Sequence, residues 1–510
     1  MRTRMAICAV FAMSITNAFP NTIRVPQDQP TIQQGIDAAQ SGDTVLVSPG
    51  TYLENINFFG KAITVKSLGG SAVTVIDGGN PTNPNRAAVV TFESGETWDS
   101  VLEGFAIVNG GGNVFGYTSE RGGGIDCTNS SPVIRHNIIH GNHVANVHGG
   151  VAIGGGICSN ASARIEYNIV HSNISFGYAA GGGIYCSGNT VVMHNIIRDN
   201  SSDLGGGVYS DGSAIVANNT LHDNYAYSSG SGIEGKGSSV IRNNVLFNHA
   251  SSPTVFRGTI TVASCTVENN LIFMNLVRGI ACTGSPQITN NTVFGNSESG
   301  IWCWSYASPS ISNSILWQNG SLEIELDDPG NPPIVSHCDV MGGWPGTGNI
   351  DADPLFADPA AADLHLLYPS PCRNTGDDGA VTELVDFEGD PRNAGGQVDM
   401  GADEFYRHLY QTGDATPGGT IQLKFVGNPG TAQVALVLGL ALRDPPLSTN
   451  YGVLHVASPF IYLPGLGPIP GNGIYVLPAQ FSATAPAPIS VYLQALIGNE
   501  LSNLCEVNVE

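Results

Sequence analysis

Between residues 134 and 319 the apolar and polar positions recur in a fixed order: apolar, two variable residues, Asn, one residue, apolar, two variable residues, Asn. The motif reads IRHNIIHGN at 134–142, IEYNIVHSN at 165–173, VMHNIIRDN at 192–200 and VANNTLHDN at 216–224. It continues as IRNNVLFNH, VENNLIFMN, ITNNTVFGN and ISNSILWQN. Its first polar position runs Asn137, Asn168, Asn195, Asn219, Asn244, Asn270, Asn291 and Ser314, with steps of 31, 27, 24, 25, 26, 21 and 23 residues. The second runs Asn142, Asn173, Asn200, Asn224, His249, Asn275, Asn296 and Asn319. A third element, Gly-rich and then β-branched, recurs at Ile125, Ile157, Ile184, Val208, Ile233, Ile280 and Ile301.

This spacing predicts three short strands per repeat. Such strands cannot bury an apolar face alone, but coils stacked about 4.8 Å apart build one continuous core and pair every backbone ladder. Unequal steps then mean loops of unequal length. Asn is expected at the corners because it tolerates left-handed backbone and because stacked amides bond along the axis. Propellers and sandwiches call for longer repeats or antiparallel hairpin signals, so the predicted class is all-β, a parallel β-helix. Composition agrees: Gly and Pro together make 95 of 510 residues, which disfavours helices, and 42% apolar residues exclude a disordered chain.

The opening TIQQGIDAAQSGDTVLVSPGTYLENI (31–56), together with the asparagine repeats, resembles the right-handed parallel β-helix superfamily typified by pectate lyases, especially its exported bacterial branch. The resemblance implies a short amino-terminal helix capping the open core, with Ile32 and Ile36 facing it, Pro30 starting the helix and Gly42 ending it. The expected layout is a signal peptide at 1–18, the cap at 19–42, the β-helix at 43–326, acidic terminal coils and a cap at 327–405, and a β-sandwich accessory module at 406–510. Two early arginines, the apolar run 5–15 and the small residues Thr16 and Ala18 read as a cleaved secretory signal, so the protein is expected to be secreted, periplasmic or on the cell surface. No stretch after it is long enough to predict a transmembrane helix.

Charge narrows the partners. Nineteen basic residues against 42 acidic ones leave −23, which repels phosphate backbones and argues against nucleic acid. Residues 321–405 hold 18 acids against Arg373 and Arg392, and read as a cap covering the last apolar coil. Asp386, Glu388 and Asp390 alternate as oxygen ligands do, which makes Ca²⁺ the one ion suggested; no cofactor is required. Cys338 and Cys372 flank this region as a potential disulfide, whereas Cys127, Cys186, Cys282 and Cys303 share an inward position.

With the apolar positions inward, three outward files follow. One carries Asp126, Cys158, Tyr185, Tyr209, Glu234, Ala281 and Trp302. Its aromatics Tyr185, Tyr209 and Trp302 are candidates to stack on sugar rings, with Asp126 and Glu234 binding hydroxyls. The second carries Arg135, Glu166, Met193, Ala217, Arg242, Glu268, Thr289 and Ser312. The third carries His140, His171, Arg198, His222, Phe247, Phe273, Phe294 and Trp317, where adjacent imidazoles offer a metal or acid–base pair. Glycoside hydrolysis needs two carboxyls about 5 to 9 Å apart, which Asp199 and Asp223 in adjacent coils could supply. A lyase needs a base and a cation, for which Arg198 with calcium is the candidate. The signatures of polygalacturonases, pectin methylesterases and alginate epimerases are missing from the sequence. The expected function is therefore binding or organising extracellular polysaccharide or the cell surface without catalysis; the alternative is a polysaccharide lyase or glycoside hydrolase using the same groove.

Overall fold

The computed structural model describes residues 20–510 except 117–118, 147–148, 253–257, 414, 432–433, 451, 485–488, 499 and 510. The expected signal peptide lies outside the described residues. Three long parallel sheets wind about one core. Among the described residues the first has 13 strands, from Thr22–Val25 to Ile334–Ser336. The second has 12, from Gly50–Leu53 to Asp339–Val340, and the third 11, from Ile56–Asn57 to Ile324–Leu326. Every coil pairs in register with the next: Ile165 lies opposite Val192, Val170 opposite Ile197 and Ile157 opposite Ile184. The stacked strands reach Val340, past the boundary expected at 326.

A three-residue strand presents its middle residue inward on the first two sheets and its outer two on the third. Ile134, Ile165, Val192 and Val216 line the core from the first sheet, and Ile139, Val170, Ile197 and Leu221 from the second. Ile125 with Cys127 and Ile184 with Cys186 do so from the third. All are fully buried. The four cysteines expected to point inward do so as free thiols, and burial pushes that of Cys186 up to about 12. Glycine enters where coils nearly touch: a Cβ on Gly182 would sit 2.5 Å from the Gly206 carbonyl oxygen.

The asparagine files are buried amide ladders. Asn195 shows the pattern: its Oδ1 accepts the Asn168 N–H at 2.9 Å and the Asn168 Nδ2 at 3.1 Å, while its Nδ2 donates to Ile165 O at 2.8 Å and to Asn219 Oδ1 at 3.0 Å. Left-handed backbone belongs to the residue before each ladder amide, contrary to expectation: His136, Tyr167, His194, Asn218 and Asn243 have φ of 54 to 56°. Asn therefore occupies the ladder for its paired donor and acceptor. His249 confirms the requirement by meeting it with other atoms. Its Nδ1 accepts the Asn224 N–H at 3.2 Å and its Nε2 lies 3.1 Å from Leu221 O, as a neutral Nε2–H tautomer demands.

At the amino end the helix Ile32–Ala38 covers the core with Ile32 and Ile36, both fully buried. Thr31, not Pro30, is its N-cap and accepts the Gln34 N–H at 3.1 Å; Ala39 ends the helix and Gly42 turns the chain afterwards at φ 95°. At the other end Trp344 packs on the core. The acidic segment does not simply plug the last coil. Its later part lies along the outside of the second sheet, where Phe356, Leu364, Leu366, Met400 and Ala402 pack on Leu271, Phe273, Phe294 and Ile315. Cys338 and Cys372 are separate buried thiols: the first takes a place in the ladder, accepting the Ser314 N–H at 3.4 Å, and the second lies 3.1 Å from Asp339. The last module consists of antiparallel sheets around Leu409, Phe425, Leu436, Leu493 and Val507.

Two predictions follow from the ladders. Asn195→Ala leaves the Asn168 backbone N–H without its acceptor and takes the amide donor away from Ile165 O and Asn219 Oδ1, and chemical denaturation is expected to show a loss of roughly 3 to 5 kcal/mol. Burial lowers the His249 pKa from 6.5 to about 4. Between those values only the unfolded chain takes the proton, so this share of stability is complete above pH 6.5 and falls by about 3 kcal/mol as pH drops to 4. Denaturation of His249→Asn at pH 7.5 and 4.5 is expected to show a correspondingly smaller loss; an equal loss contradicts this account.

Candidate functional site

The left-handed corner file between the first two sheets changes character along the axis. It begins with rings: His136 stacks on Tyr167 at 5.4 Å between centroids, and Tyr167 on His194 at 4.9 Å. It passes through Asn218 and Asn243 and then becomes a clamp for the acidic segment. Asn269 donates to Val385 O at 3.1 Å, Asn290 to Asp399 O at 3.3 Å and Asn313 to Asp377 O at 3.0 Å. Arg242 pairs with Glu383 across the same junction.

Where rings give way to clamp, a cleft of about 460 Å³ opens. His194, Asn218, Thr220, Asn243 and Val245 form its floor and residues 385–389 its wall. The Asn243 Oδ1 is buried without a donor among the described residues, and burial lowers the His194 pKa. From the cleft the outer face of the second sheet runs toward the amino end as an uncovered floor of Ile138, Ile169 and Ile196 beside His140, His171 and Arg198. The cationic side chains along this region are engaged: Arg135 with Glu103 at 2.8 Å, Arg198 with Asp199 and Arg242 with Glu383.

The glycan file expected on the third sheet is interrupted. Tyr185 and Tyr209 stack on each other at 5.3 Å, which covers the ring faces a sugar would use, and burial pushes both phenols up to about 12. Glu234, Thr261 and Ala281 separate them from Trp302, whose ring lies under the Arg278 guanidinium at 4.3 Å. Asp126 and Glu234 are not surface acids. The hairpin of Gly112–Phe115 and Ser119–Arg121 folds over Asp126 and bonds it through Asn113 at 2.9 Å and Arg121 at 3.1 Å. Glu234 is enclosed by Ser229 and Lys236, each at 2.6 Å. Burial raises both carboxyl pKa values.

Asp199 and Asp223 hold equivalent corners of adjacent coils, with Arg198 on Asp199, at the opposite edge of the second sheet from His194. Both aspartates are corner residues with φ of 55°. Asp199 pairs with Arg198, and Asp223 with His222 at 2.6 Å; the carboxylate side chains are 44% and 36% exposed. A general acid needs a desolvated carboxyl, and neither has such a setting. His140 and His171 stack at 4.8 Å with planes 4° apart, so their in-plane lone pairs run side by side and cannot converge on one ion. The calcium triplet is divided too. Asp386 accepts the backbone N–H groups of Glu388, Asp390 and Glu404 at 2.9, 2.9 and 3.0 Å, while Glu388 and Asp390 turn to imidazoles.

Sequence reasoning passed over His136, Tyr167 and His194. Their signal was present as the residue preceding the ladder Asn, aromatic or imidazole in three successive repeats and asparagine in the next five.

Three wound sheets, two amide ladders and an uncovered outer face define a right-handed parallel β-helix. Residues 207–316 match the family model described as a right handed beta helix region. Among solved structures, an alginate lyase of family PL6 is 13% identical, with 65% of this chain and 53% of that one covered and a TM-score of 0.38. A pectin methylesterase from carrot is 11% identical over 63% and 89%, at 0.25. A tailspike protein of an Escherichia coli bacteriophage is 11% identical over 94% and 65%, at 0.26. The chain thus spans about half the length of the alginate lyase, and these likenesses concern the fold alone. No curated protein matches the chain. No helix among the described residues is long and apolar enough to cross a membrane.

The enclosed acids have a testable role. Asp126→Ala takes the carboxylate from the Arg121 guanidinium, which is only 17% exposed, and removes one of the two acceptors of the Asn113 amide. Thermal and urea denaturation are expected to show a loss of about 3 to 5 kcal/mol. An unchanged midpoint is the result that contradicts a structural Asp126.

Proposed function

We propose that this is an exported β-helix protein that binds or organises a polysaccharide of the cell exterior or surface, without cleaving it, along the outer face of its second sheet. The observation that carries this reading is the His136–Tyr167–His194 file leading into the cleft walled by residues 385–389. Ring faces within the file are covered by their neighbours, so the edges are what a ligand meets. An extended glycan laid along the axis passes one imidazole or phenol edge at each coil, with isoleucine side chains beneath it, and the His194 face and Asn243 Oδ1 stand at the end of the track.

Charge selects the glycan. With Arg135, Arg198 and Arg242 held by acids and a net charge of −23, the face has little to offer a polyuronate and suits neutral hydroxyl-rich chains. The same pairing weighs against Arg198 as the cation or base of a lyase.

The test is to incubate the mature protein with neutral and uronic-acid polysaccharides, with and without calcium, and to score both retention and new chain ends. Retention on a neutral glycan without new ends is expected, and Tyr167→Ala with His194→Ala is expected to weaken it about tenfold, the equivalent of about 1.4 kcal/mol. New chain ends, or retention untouched by the double variant, overturn the reading.

A further inference from the structure

Where the acidic segment meets the last module, two imidazoles converge on one carboxylate. His365 lies on the strand Asp363–Leu366, Glu388 on the turn that follows Asp386, and His408 immediately before the strand Leu409–Gly413. His365 Nε2 is 2.9 Å from Glu388 Oε2, and His408 Nε2 is 3.4 Å from the same oxygen. Two overlapping triads, His365 with Glu388 and Asp403, and Glu388 with Asp390 and His408, each bring their ligand atoms within 4.8 Å of one another.

The other ring nitrogens are equally specific. His365 Nδ1 is held by Asp363 Oδ1 at 2.6 Å and His408 Nδ1 by Asp390 Oδ2 at 2.7 Å. Such a carboxylate behind each imidazole fixes the ring and holds Nδ1–H, the arrangement found behind metal-bound histidines, and leaves Nε2, which here donates to Glu388, as the nitrogen that can exchange its proton for a metal. Tyr410 stacks on the His365 ring at 4.0 Å and fixes its tilt. The Asn503 amide lies 3.1 Å from His408 Nε2 and is the one contact a metal would displace there.

We propose that the His365, Glu388 and Asp403 triad binds a divalent transition-metal ion of the zinc class, with His408 placed to join it beside the shared Glu388 oxygen, tying the acidic segment to the carboxyl-terminal module. Three observations select this ion. Tetrahedral zinc bonds of 2.0 to 2.1 Å place ligand atoms about 3.3 Å apart, and the two nitrogens stand 2.9 and 3.4 Å from the shared oxygen. Two imidazoles with two carboxylates suit zinc, whereas calcium takes oxygen alone, so the calcium expected from Asp386, Glu388 and Asp390 is replaced by another ion on partly different residues. Lys424 pairs with Asp363, whereas Glu388 and Asp390 meet the two imidazoles, so a divalent ion at Nε2 would take the place of the imidazole protons that now balance these carboxylates.

The experiment uses the mature chain after dialysis against a chelator. Zn²⁺ is added and the excess removed by gel filtration, with metal per chain read by elemental analysis and the melting temperature read in parallel. One zinc per chain and a rise in melting temperature are expected, both lost in Glu388→Gln and in His408→Gln. Co²⁺ serves as a second probe on the unaltered protein, so the outcome does not depend on the variants folding. It is expected to show tetrahedral ligand-field bands without thiolate charge transfer, because the nine described cysteines are all buried. Failure to retain either ion, a thiolate band, or full retention by folded Glu388→Gln overturns the proposal.

Discussion

Everything in this molecule rests on equivalent residues lying directly over one another. A strand of three residues has too little apolar surface to hold itself, and it becomes stable when coils above and below satisfy its backbone and extend its core. The amide ladders enforce that alignment. Each ladder side chain both gives and receives along the axis, and a buried coil shifted by one residue would leave donors and acceptors unpaired. His249 shows that the constraint is chemical, since an imidazole with one accepting and one donating nitrogen continues the file where an amide is missing.

The same stacking decides how surface chemistry is presented. Side chains repeated at coil spacing meet each other before they meet a ligand: Tyr185 covers Tyr209, and His140 covers His171. An aromatic file on a β-helix thus offers edges along its length and a face only where it ends. His194 is such an end, because the next corner residues are Asn218 and Asn243. The cleft exists because the acidic segment turns back along the second sheet and stops at Val385, where Asn269 holds it.

Burial in the acidic segment gives its charges two tasks. Asp386 accepts three backbone N–H groups and shapes a turn, as an acid in a loop commonly does. Glu388, two residues on, is drawn instead into contact with His365 and His408, and Asp363 reaches Lys424 of the last module. The junction between segment and module thus joins a densely bonded polar group to an apolar cluster of Phe405, Tyr410, Val426 and Ile474, unlike the wholly apolar core of the coils.

The repeat by itself determined the coil, the inward positions, the amide files and the cysteines packed inside, because those depend on alternation and on periodic spacing, which a linear chain displays in full. Even the His136, Tyr167 and His194 file was written there, one place before each ladder Asn. Only the tertiary structure decided which outward positions remain outward. Asp126 and Glu234 read as surface acids until an inserted hairpin and neighbouring Ser229 and Lys236 enclosed them, and Phe273 and Phe294 read as exposed until the acidic segment lay over them. Likewise His365, Glu388 and His408 have no common period. Long-range packing of segments with no repeat between them brings such groups together, and local pattern carries no record of it.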